Sequence, residues 1–567
     1  MIQFRVSKTL SLLMLAALLC QFMPPPTFAQ GTQRERQVKQ PPAKATPVAS
    51  PTPTPTPVPE PFASPSPALT PTPTPTPAAR TATTTRTLQA LQTSIAEVLR
   101  RPELEAAFVG IKVVSLDSGK ILFEENARKL LRPASNMKLY TVAAAMDRLT
   151  PDYRFQTSVY APSRPNSDGV LRGDLTIYGR GDPSIAARFN NGDYFKSIND
   201  LAAQIAAAGV KRVEGDIVGD ETYFEGAPYG SGWNWEDLQW WYGGEVSSLT
   251  VNDNALDLSI KPGSEVGQPA VITTGPPDPL LKIVNRVVTS PRSSRRDLNM
   301  YRSLNSDTLE IVGSLPLDDR GFTAGIGISH PALLFVYLLR TALGQRGITV
   351  TGKSRTIPPA NFLSLQPVPQ AAPRVELANM QSPPFSLVAA QTLKPSQNLY
   401  TEIILRTLGK TAGPAPTATN NIRTNEAAGI EVVKAFLKEA GVNLSPLSLT
   451  DGSGLSRNDM ITAEASVQLL TYMSRHRFAT AFREALPIAG VDGTLRNRMK
   501  GTVAENNLRA KTGSLSSAAT LSGYVTTAAG ENLVFSIMVN NYPEDTEVRS
   551  LCIDPIAVLL ASFAGRS

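Results

Sequence analysis

Histidine and cysteine are scarce in this chain. Its 567 residues include two histidines, His330 and His476, and two cysteines. Neither histidine has a second histidine or a cysteine close by in the sequence, which argues against a multi-histidine zinc site. At most two histidines could act as the base for a nucleophile, so a lysine-based mechanism has to be considered. We expect neither a metal nor a cofactor.

The amino terminus has the pattern of a secretory signal peptide. Arg5 and Lys8 precede an apolar run from Leu10 to Leu19, and the small residue Ala29 follows a cluster of prolines. This order is typical of such leaders, so we predict that residues 1–29 are removed and that the protein is exported to the periplasm or cell envelope. The apolar run is shorter than the roughly twenty residues that span a bilayer, so we expect membrane attachment only if the signal is retained.

Removal of the leader, which contains Cys20, would leave Cys552 as the only cysteine. A single thiol forms no internal disulfide, so the fold has to be stabilised by core packing. Cys552 stands between a leucine and an isoleucine, and we interpret it as a buried apolar residue.

Proline and positive charge are concentrated near the amino terminus. Eighteen of the 47 prolines lie between Pro24 and Pro77, where PTPTPTP occurs twice. Such a segment cannot offset the entropy cost of ordering, so we predict a disordered Pro/Thr-rich linker over residues 30–86. It is either a spacer across the envelope or a tolerated tail. The first 86 residues carry +6 of the net charge of +7, so the rest of the chain gives no electrostatic reason to expect nucleic acid.

The remaining sequence predicts an α+β fold. Periodicity and turn residues predict helices at 88–99, 135–149 and 555–563 and strands at 108–115, 121–123, 508–515, 521–526 and 533–540. This order predicts an antiparallel sheet, flanked by helices, whose strands come from both ends of the chain. Many Gly-Asp turns indicate a β-rich insertion of two pieces between them. We predict a catalytic domain of residues 87–160 and 376–567, interrupted by residues 161–375.

The first of three chemical motifs is Ser135-Asn-Met-Lys138, the only S-x-x-K in the chain. It stands at the start of a predicted helix, where residues three apart share a face. A serine hydroxyl needs an adjacent base, and a lysine can act as one if burial lowers its pKa. On its own the motif is weak, since a helix cap followed by a solvated lysine has the same sequence.

The second motif, Lys511-Thr512-Gly513, is the only K-T-G and is followed by Ser514 on a predicted edge strand. A cation and a hydroxyl can hold a substrate carboxylate, a glycine lets the substrate lie close, and an exposed N–H can complete an oxyanion hole.

The third motif, Ser396-Gln-Asn398, is an S-x-N of a kind that occurs at other serines too. Its position between the other two motifs selects it, together with a predicted amphipathic helix that Pro395 begins.

S-x-x-K, S-x-N and K-T-G in this order are the signature of active-serine penicillin-binding enzymes. The chain resembles the class C penicillin-binding proteins of low molecular mass, the D-alanyl-D-alanine carboxypeptidase/endopeptidase family (peptidase family S13). The segments 173–183, 215–220, 451–457 and 489–494 strengthen this resemblance. The separation of 261 residues between Ser135 and Ser396 also fits a family whose transpeptidase-like or β-lactamase-like domain is interrupted by a large insert.

The resemblance implies catalytic roles for Ser135, Lys138 and Ser396, and substrate-binding roles for Asn398, Lys511, Thr512, Gly513 and Ser514. Ser135 would be acylated by the penultimate D-alanine of a peptidoglycan stem peptide, with Lys138 as base. β-Lactams would acylate the same serine and stall at hydrolysis.

The resemblance also implies a subsite for the diamino acid of the stem peptide. Asp237 and Tyr242, in a segment that holds all four tryptophans, resemble positions that meet its ammonium group, and Arg457 resembles one that meets its carboxylate. A packed aromatic corner with exposed acids is the other open interpretation.

Two other functions remain open at this point. A serine β-lactamase of the same superfamily has the same three motifs, although such enzymes are about half as long and lack the insert. A catalytically inactive peptidoglycan-binding protein belongs to a different functional class, and the intact motifs argue against it.

Overall fold

The computed structural model describes residues 86–304, 306–359, 374–414 and 424–567. The predicted signal peptide and, apart from Arg86, the predicted linker lie outside these ranges. The α-helices in them are α1 (Leu88–Leu99), α2 (Met137–Arg148), α3 (Lys196–Ala207), α4 (Pro331–Gln345), α5 (Phe385–Leu393), α6 (Asn398–Ala412), α7 (Asn425–Glu439), α8 (Ala463–Ser474), α9 (Ala479–Glu484) and α10 (Asp554–Ser562). None of these helices is both long and apolar enough to cross a membrane.

The strands in the same ranges are β1 (Phe108–Ser115), β2 (Ile121–Glu125), β3 (Gln156–Ala161), β4 (Val170–Arg172), β5 (Leu175–Gly179), β6 (Arg212–Glu214), β7 (Ile217–Asp220), β8 (Ala255–Lys261), β9 (Val271–Gly275), β10 (Lys282–Ser290), β11 (Asp297–Arg302), β12 (Thr308–Pro316), β13 (Phe322–Gly327), β14 (Thr349–Val350), β15 (Ser354–Ile357), β16 (Val375–Gln381), β17 (Arg509–Leu515), β18 (Ala518–Thr526) and β19 (Asn532–Asn540).

A five-stranded antiparallel sheet joins the two ends of the described chain. Its order is β17-β18-β19-β1-β2, and β1 pairs with β19 from Phe108 opposite Asn540 to Ser115 opposite Leu533. β18 and β19 are almost entirely buried, because α1 and α10 cover one face of the sheet and α8 covers the other. The predicted α+β fold with a sheet from both ends of the chain is confirmed. Cys552 is fully buried in the core beside α10, as predicted.

Two glycines bring α6 close to α7. A β-carbon on Gly409 would lie 2.0 Å from the Asn425 carbonyl oxygen, and one on Gly429 would lie 2.1 Å from the Leu405 carbonyl oxygen. Only residues without a side chain allow this approach. The close packing fixes α6, whose first residue is Asn398, against the helical layer that also contains α2.

The central part of the chain forms the remaining sheets. One mixed sheet has the order β15-β7-β5-β3-β16, and three-stranded sheets follow the orders β13-β8-β9, β10-β12-β11 and β14-β6-β4. β3 and β16 pair with each other, so the two ends of this central part lie side by side. The predicted boundaries at 160/161 and 375/376 stay a prediction, and from this pairing we propose that both strands belong to the insertion.

Candidate active site

Ser135 lies on a short 3₁₀ turn, Ala134–Asn136, directly before α2. The predicted helix from Ser135 therefore begins two residues later, at Met137, because the residues before it form the tighter turn. Thr520 on β18 holds this turn against the sheet, since its Oγ1 donates to the Pro133 carbonyl at 2.9 Å. The serine is thereby fixed between helix and sheet.

Lys138 occupies the first turn of α2 and is completely buried. Its Nζ atom donates to Ser135 Oγ at 2.9 Å, to Asn398 Oδ1 at 2.6 Å and to the Ser453 carbonyl at 2.7 Å. Burial lowers the pKa of Lys138 to about 7, although nearby carboxylates, Asp451 foremost, oppose the shift. A large fraction of this amine is therefore neutral near pH 7.

Ser396 lies in the turn between α5 and α6 and not on a helix. The prediction of a helix begun by Pro395 is wrong, because Ser396 has a left-handed backbone with φ of 67° and Gln397 caps a helix that starts at Asn398. The Ser396 hydroxyl accepts from Lys511 Nζ at 2.8 Å. Each of the two serines is thus bonded to its own lysine.

Asn398 has its side-chain amide oriented by two neighbours. Its Oδ1 accepts from Lys138, and its Nδ2 donates to the Tyr242 carbonyl at 2.9 Å. The Tyr242 carbonyl thereby determines which atom of the amide faces the lysine.

Lys511 lies on β17, which is the edge strand of the five-stranded sheet, as predicted. It is completely buried, and its pKa is well below its usual value because of burial and the nearby Lys138. The neighbouring Thr512 donates through Oγ1 to Thr494 Oγ1 at 2.7 Å.

Gly513 lets β17 approach the turn that carries Ser135. A β-carbon at this position would lie 2.2 Å from Thr520 Oγ1 and 2.6 Å from the Pro133 carbonyl oxygen, so a side chain would push the strand away. Ser514 follows on the exposed part of the strand, and its hydroxyl accepts from Arg549 at 2.6 Å.

The three residues of the implied diamino acid subsite lie together. Asp237 is buried, and its Oδ2 forms an ion pair with Arg457 Nη1 at 3.1 Å. The two residues that the resemblance assigned to opposite charges of the substrate are therefore paired with each other here. Burial, with a contribution from Asp237, raises the pKa of Tyr242 to about 12, so this phenol stays neutral.

Two groups beside Lys138 were not identified from the sequence. One is the Ser453 carbonyl, and the other is Glu402 on α6, whose Oε1 accepts from the N–H groups of Gly452 and Ser453 at 3.1 and 2.8 Å. Glu402 follows Asn398 by four residues and so shares its helix face. This spacing could have indicated Glu402 from the sequence. Nothing in the sequence indicates the Ser453 carbonyl, because every residue has a backbone carbonyl.

The fold and this site define a class C penicillin-binding protein of low molecular mass. Residues 91–563 match the family model described as the D-Ala-D-Ala carboxypeptidase 3 (S13) family. The chain belongs to this family.

Relatives agree with this assignment. A D-alanyl-D-alanine carboxypeptidase of Actinomadura sp. (strain R39) is 35% identical over 84% of this chain and 86% of its own length. The D-alanyl-D-alanine carboxypeptidase DacB of Haemophilus influenzae is 24% identical over 77% of this chain and 86% of its own length. The crystal structure of penicillin binding protein 4 (dacB) from Haemophilus influenzae superposes with a TM-score of 0.69 at 22% identity, covering 84% of this chain and 99% of that chain. It shows the same fold.

Proposed function

We propose that the protein is a serine D-alanyl-D-alanine carboxypeptidase that cleaves peptidoglycan stem peptides through an acyl-enzyme on Ser135, and that D,D-endopeptidase cleavage of cross-linked peptides uses the same intermediate. The observation that carries the proposal is the distance of 2.9 Å between Ser135 Oγ and an amine, Lys138 Nζ, whose pKa is about 7. Membership of the S13 family and the names of the relatives favour this function over a β-lactamase or an inactive peptidoglycan-binding protein.

In the acylation step, neutral Lys138 accepts the proton of Ser135 while Oγ attacks the carbonyl carbon of the penultimate D-alanine. The backbone N–H groups of Ser135 and Ser514 stabilise the oxyanion. When the tetrahedral intermediate collapses, the peptide C–N bond breaks and the leaving nitrogen needs a proton. The Ser396 hydroxyl donates its hydrogen to this nitrogen and takes one from Lys511 Nζ, from which it accepts, so the step leaves Lys138 protonated and Lys511 neutral.

The substrate is held on both sides of the scissile bond. On the leaving-group side, the terminal carboxylate binds Lys511 and Thr512, with Gly513 keeping the strand close to the serine. On the other side, Asn398 binds the peptide. Its Nδ2 has two hydrogens, of which Tyr242 uses one. Water then hydrolyses the acyl-enzyme. A β-lactam follows the same first step and hydrolyses slowly.

Labelling with a fluorescent penicillin tests this function. We expect covalent label on the wild type and none on Ser135→Ala. Absence of label on both would contradict the proposal, and rapid hydrolysis of the penicillin would favour a β-lactamase. Product analysis on linear and cross-linked muropeptides then measures carboxypeptidase activity as released D-alanine and endopeptidase activity as loss of cross-links.

The diamino acid subsite is a second, separable part of the proposal. The ion pair between buried Asp237 and partly exposed Arg457 supports it. A substrate that carries an ammonium and a carboxylate can place its ammonium against Asp237 and its carboxylate against Arg457. We expect Asp237→Ala to lower turnover of a diaminopimelate-containing peptide and to spare a simple diacyl-D-Ala-D-Ala. The exposed neighbour Glu236→Ala is the matched control. Equal losses on both substrates would contradict this subsite.

We propose export to the periplasm or cell envelope on the strength of the leader pattern in residues 1–29. Cell fractionation and amino-terminal sequencing of the mature protein test it, and an intact leader in a cytoplasmic fraction would contradict it.

Deletion of residues 31–80 tests the linker as a spacer. An unchanged cell-wall phenotype would leave the linker as a tolerated tail.

A further inference from the structure

The loop from Asp451 to Gly454 is held between α2 and α6. The Ser453 carbonyl accepts from Lys138 Nζ at 2.7 Å. Glu402 on α6 accepts from the N–H of the same serine at 2.8 Å. Thr141 on α2 also donates to the Gly452 carbonyl at 2.8 Å. Glu402 is completely buried, and its two backbone donors are its only hydrogen-bond partners in the described parts of the chain.

We propose that Glu402 is a positioning residue that, through the Ser453 carbonyl, directs the lone pair of neutral Lys138 at the hydroxyl of Ser135. The inference rests on the proposed function, in which Lys138 is the base.

The argument follows from the hydrogen-bonding capacity of the three neighbours of Nζ. A neutral amine has two hydrogens and one lone pair. The Ser453 carbonyl can only accept, and Asn398 presents its acceptor atom because its Nδ2 is bonded to Tyr242. Both amine hydrogens are therefore used on these two oxygens. The third direction, toward Ser135 Oγ, is left for the lone pair, and a serine hydroxyl is the one neighbour that can donate.

A displaced Ser453 carbonyl would undo this arrangement. One amine hydrogen would then be free to bond Ser135 Oγ, and the lysine would donate to the serine instead of accepting its proton. The loop packs directly against the turn that carries Ser135, since a β-carbon on Gly454 would lie 1.8 Å from the Ala134 carbonyl oxygen. A displacement of the loop would therefore also displace the serine.

The neutral form of Glu402 is sufficient for this task. Burial, together with the charge of Asp451, raises the pKa of Glu402 well above its usual value. A protonated carboxyl keeps its carbonyl oxygen as an acceptor, and a glutamine amide has the same acceptor in nearly the same place. Glu402→Gln should therefore preserve the function, whereas Glu402→Asp withdraws the acceptor by one methylene and Glu402→Leu removes it.

The test compares these three variants with wild type and with Glu531→Leu. Glu531 is also a buried carboxylate, but it accepts from Ser115 at 2.6 Å at the far end of the sheet. For each protein we would measure the acylation rate constant with a fluorescent penicillin, kcat and KM for diacyl-D-Ala-D-Ala, and Tm. Positioned bases contribute about 10²- to 10⁴-fold. For Glu402→Leu we expect the acylation rate constant and kcat to fall about 100-fold or more, while KM changes less than about threefold. For Glu402→Gln we expect rates close to those of the wild type.

Glu531→Leu should lower Tm and leave the acylation rate constant unchanged. A folded Glu402→Leu that acylates at the wild-type rate would overturn the inference and leave the proposed function intact. If Glu402→Leu does not fold, the comparison of Glu402→Gln with Glu402→Asp tests the inference. Equal acylation rates for these two variants would overturn it. A wild type that is not acylated at Ser135 would overturn both the inference and the function on which it rests.

Discussion

Acylation of Ser135 should rise with pH through a midpoint near 7. Only the neutral amine of Lys138 can accept the serine proton, and burial lowers its pKa from 10.5 to about 7. Protonation at lower pH therefore removes the base, and acylation is lost as the pH falls. Between pH 6 and pH 8 the neutral fraction, and with it the rate, should increase about tenfold and then level off. An unburied lysine would give an increase of about a hundredfold over this interval, with no plateau below pH 9.

The assay is the second-order rate constant for labelling by a fluorescent penicillin between pH 5.5 and pH 9. Other groups that titrate in this range have to be removed as controls. Two of these are carboxyl groups whose pKa burial raises, Glu221 to about 7 and Asp182 to about 6. The two histidines of the chain are replaced as well, in His330→Gln/His476→Gln. The midpoint should survive all of these substitutions. A rate that is flat from pH 6 to pH 8, or one that still rises tenfold per pH unit at pH 9, would refute the assignment of the base.

Three further predictions concern stability and reactivity. Lys138→Met should abolish acylation. The lowered pKa of Lys138 costs the wild-type fold about 5 kcal/mol at and below pH 7, and this cost disappears as the pH approaches 10.5. The wild type therefore gains stability over this pH interval and Lys138→Met does not. The Tm of the variant relative to wild type should fall as the pH rises from 7 to 10.5. Gly454→Ala should lower Tm and slow acylation far more than Gly530→Ala, since both glycines have φ of +78° but only a β-carbon at Gly454 meets an atom within 4 Å. The protein without its leader, and so without Cys20, should not react with thiol reagents at pH 8, because Cys552 is fully buried and burial raises its pKa to about 12. Rapid reaction without denaturant would contradict this.

Elements with their own sequence periodicity were predictable. β1 and α1 occupy the predicted residues, because the alternation of a strand and the repeat of an amphipathic helix are written within one segment. The turn at Ser396 was not predictable in this way. Proline followed by small polar residues is compatible with a helix start, and the same residues can also form the capping turn that precedes one.

The motifs predicted which residues assemble at the site but not how they are oriented. Ser135 and Lys138 are three residues apart, so their contact follows from helix geometry. The direction of the Asn398 amide depends on the Tyr242 carbonyl, and the position of the Ser453 carbonyl depends on Glu402. Both contacts join segments that lie far apart in the sequence. One partner in each contact is a backbone group, and the residue type does not indicate what a backbone group will bond.

The sheet that joins the two ends of the described chain has a consequence for biosynthesis. Ser115 at the end of β1 bonds Glu531 at 2.6 Å, although 416 residues separate them. Contacts of such long sequence separation form late in folding, since the intervening chain has to be brought together first. A nascent chain that ends before β17 would carry Ser135, Lys138 and Ser396 without the strand that places Lys511 beside them. Capture of penicillin would therefore report that translation is complete and that the distant strands have paired.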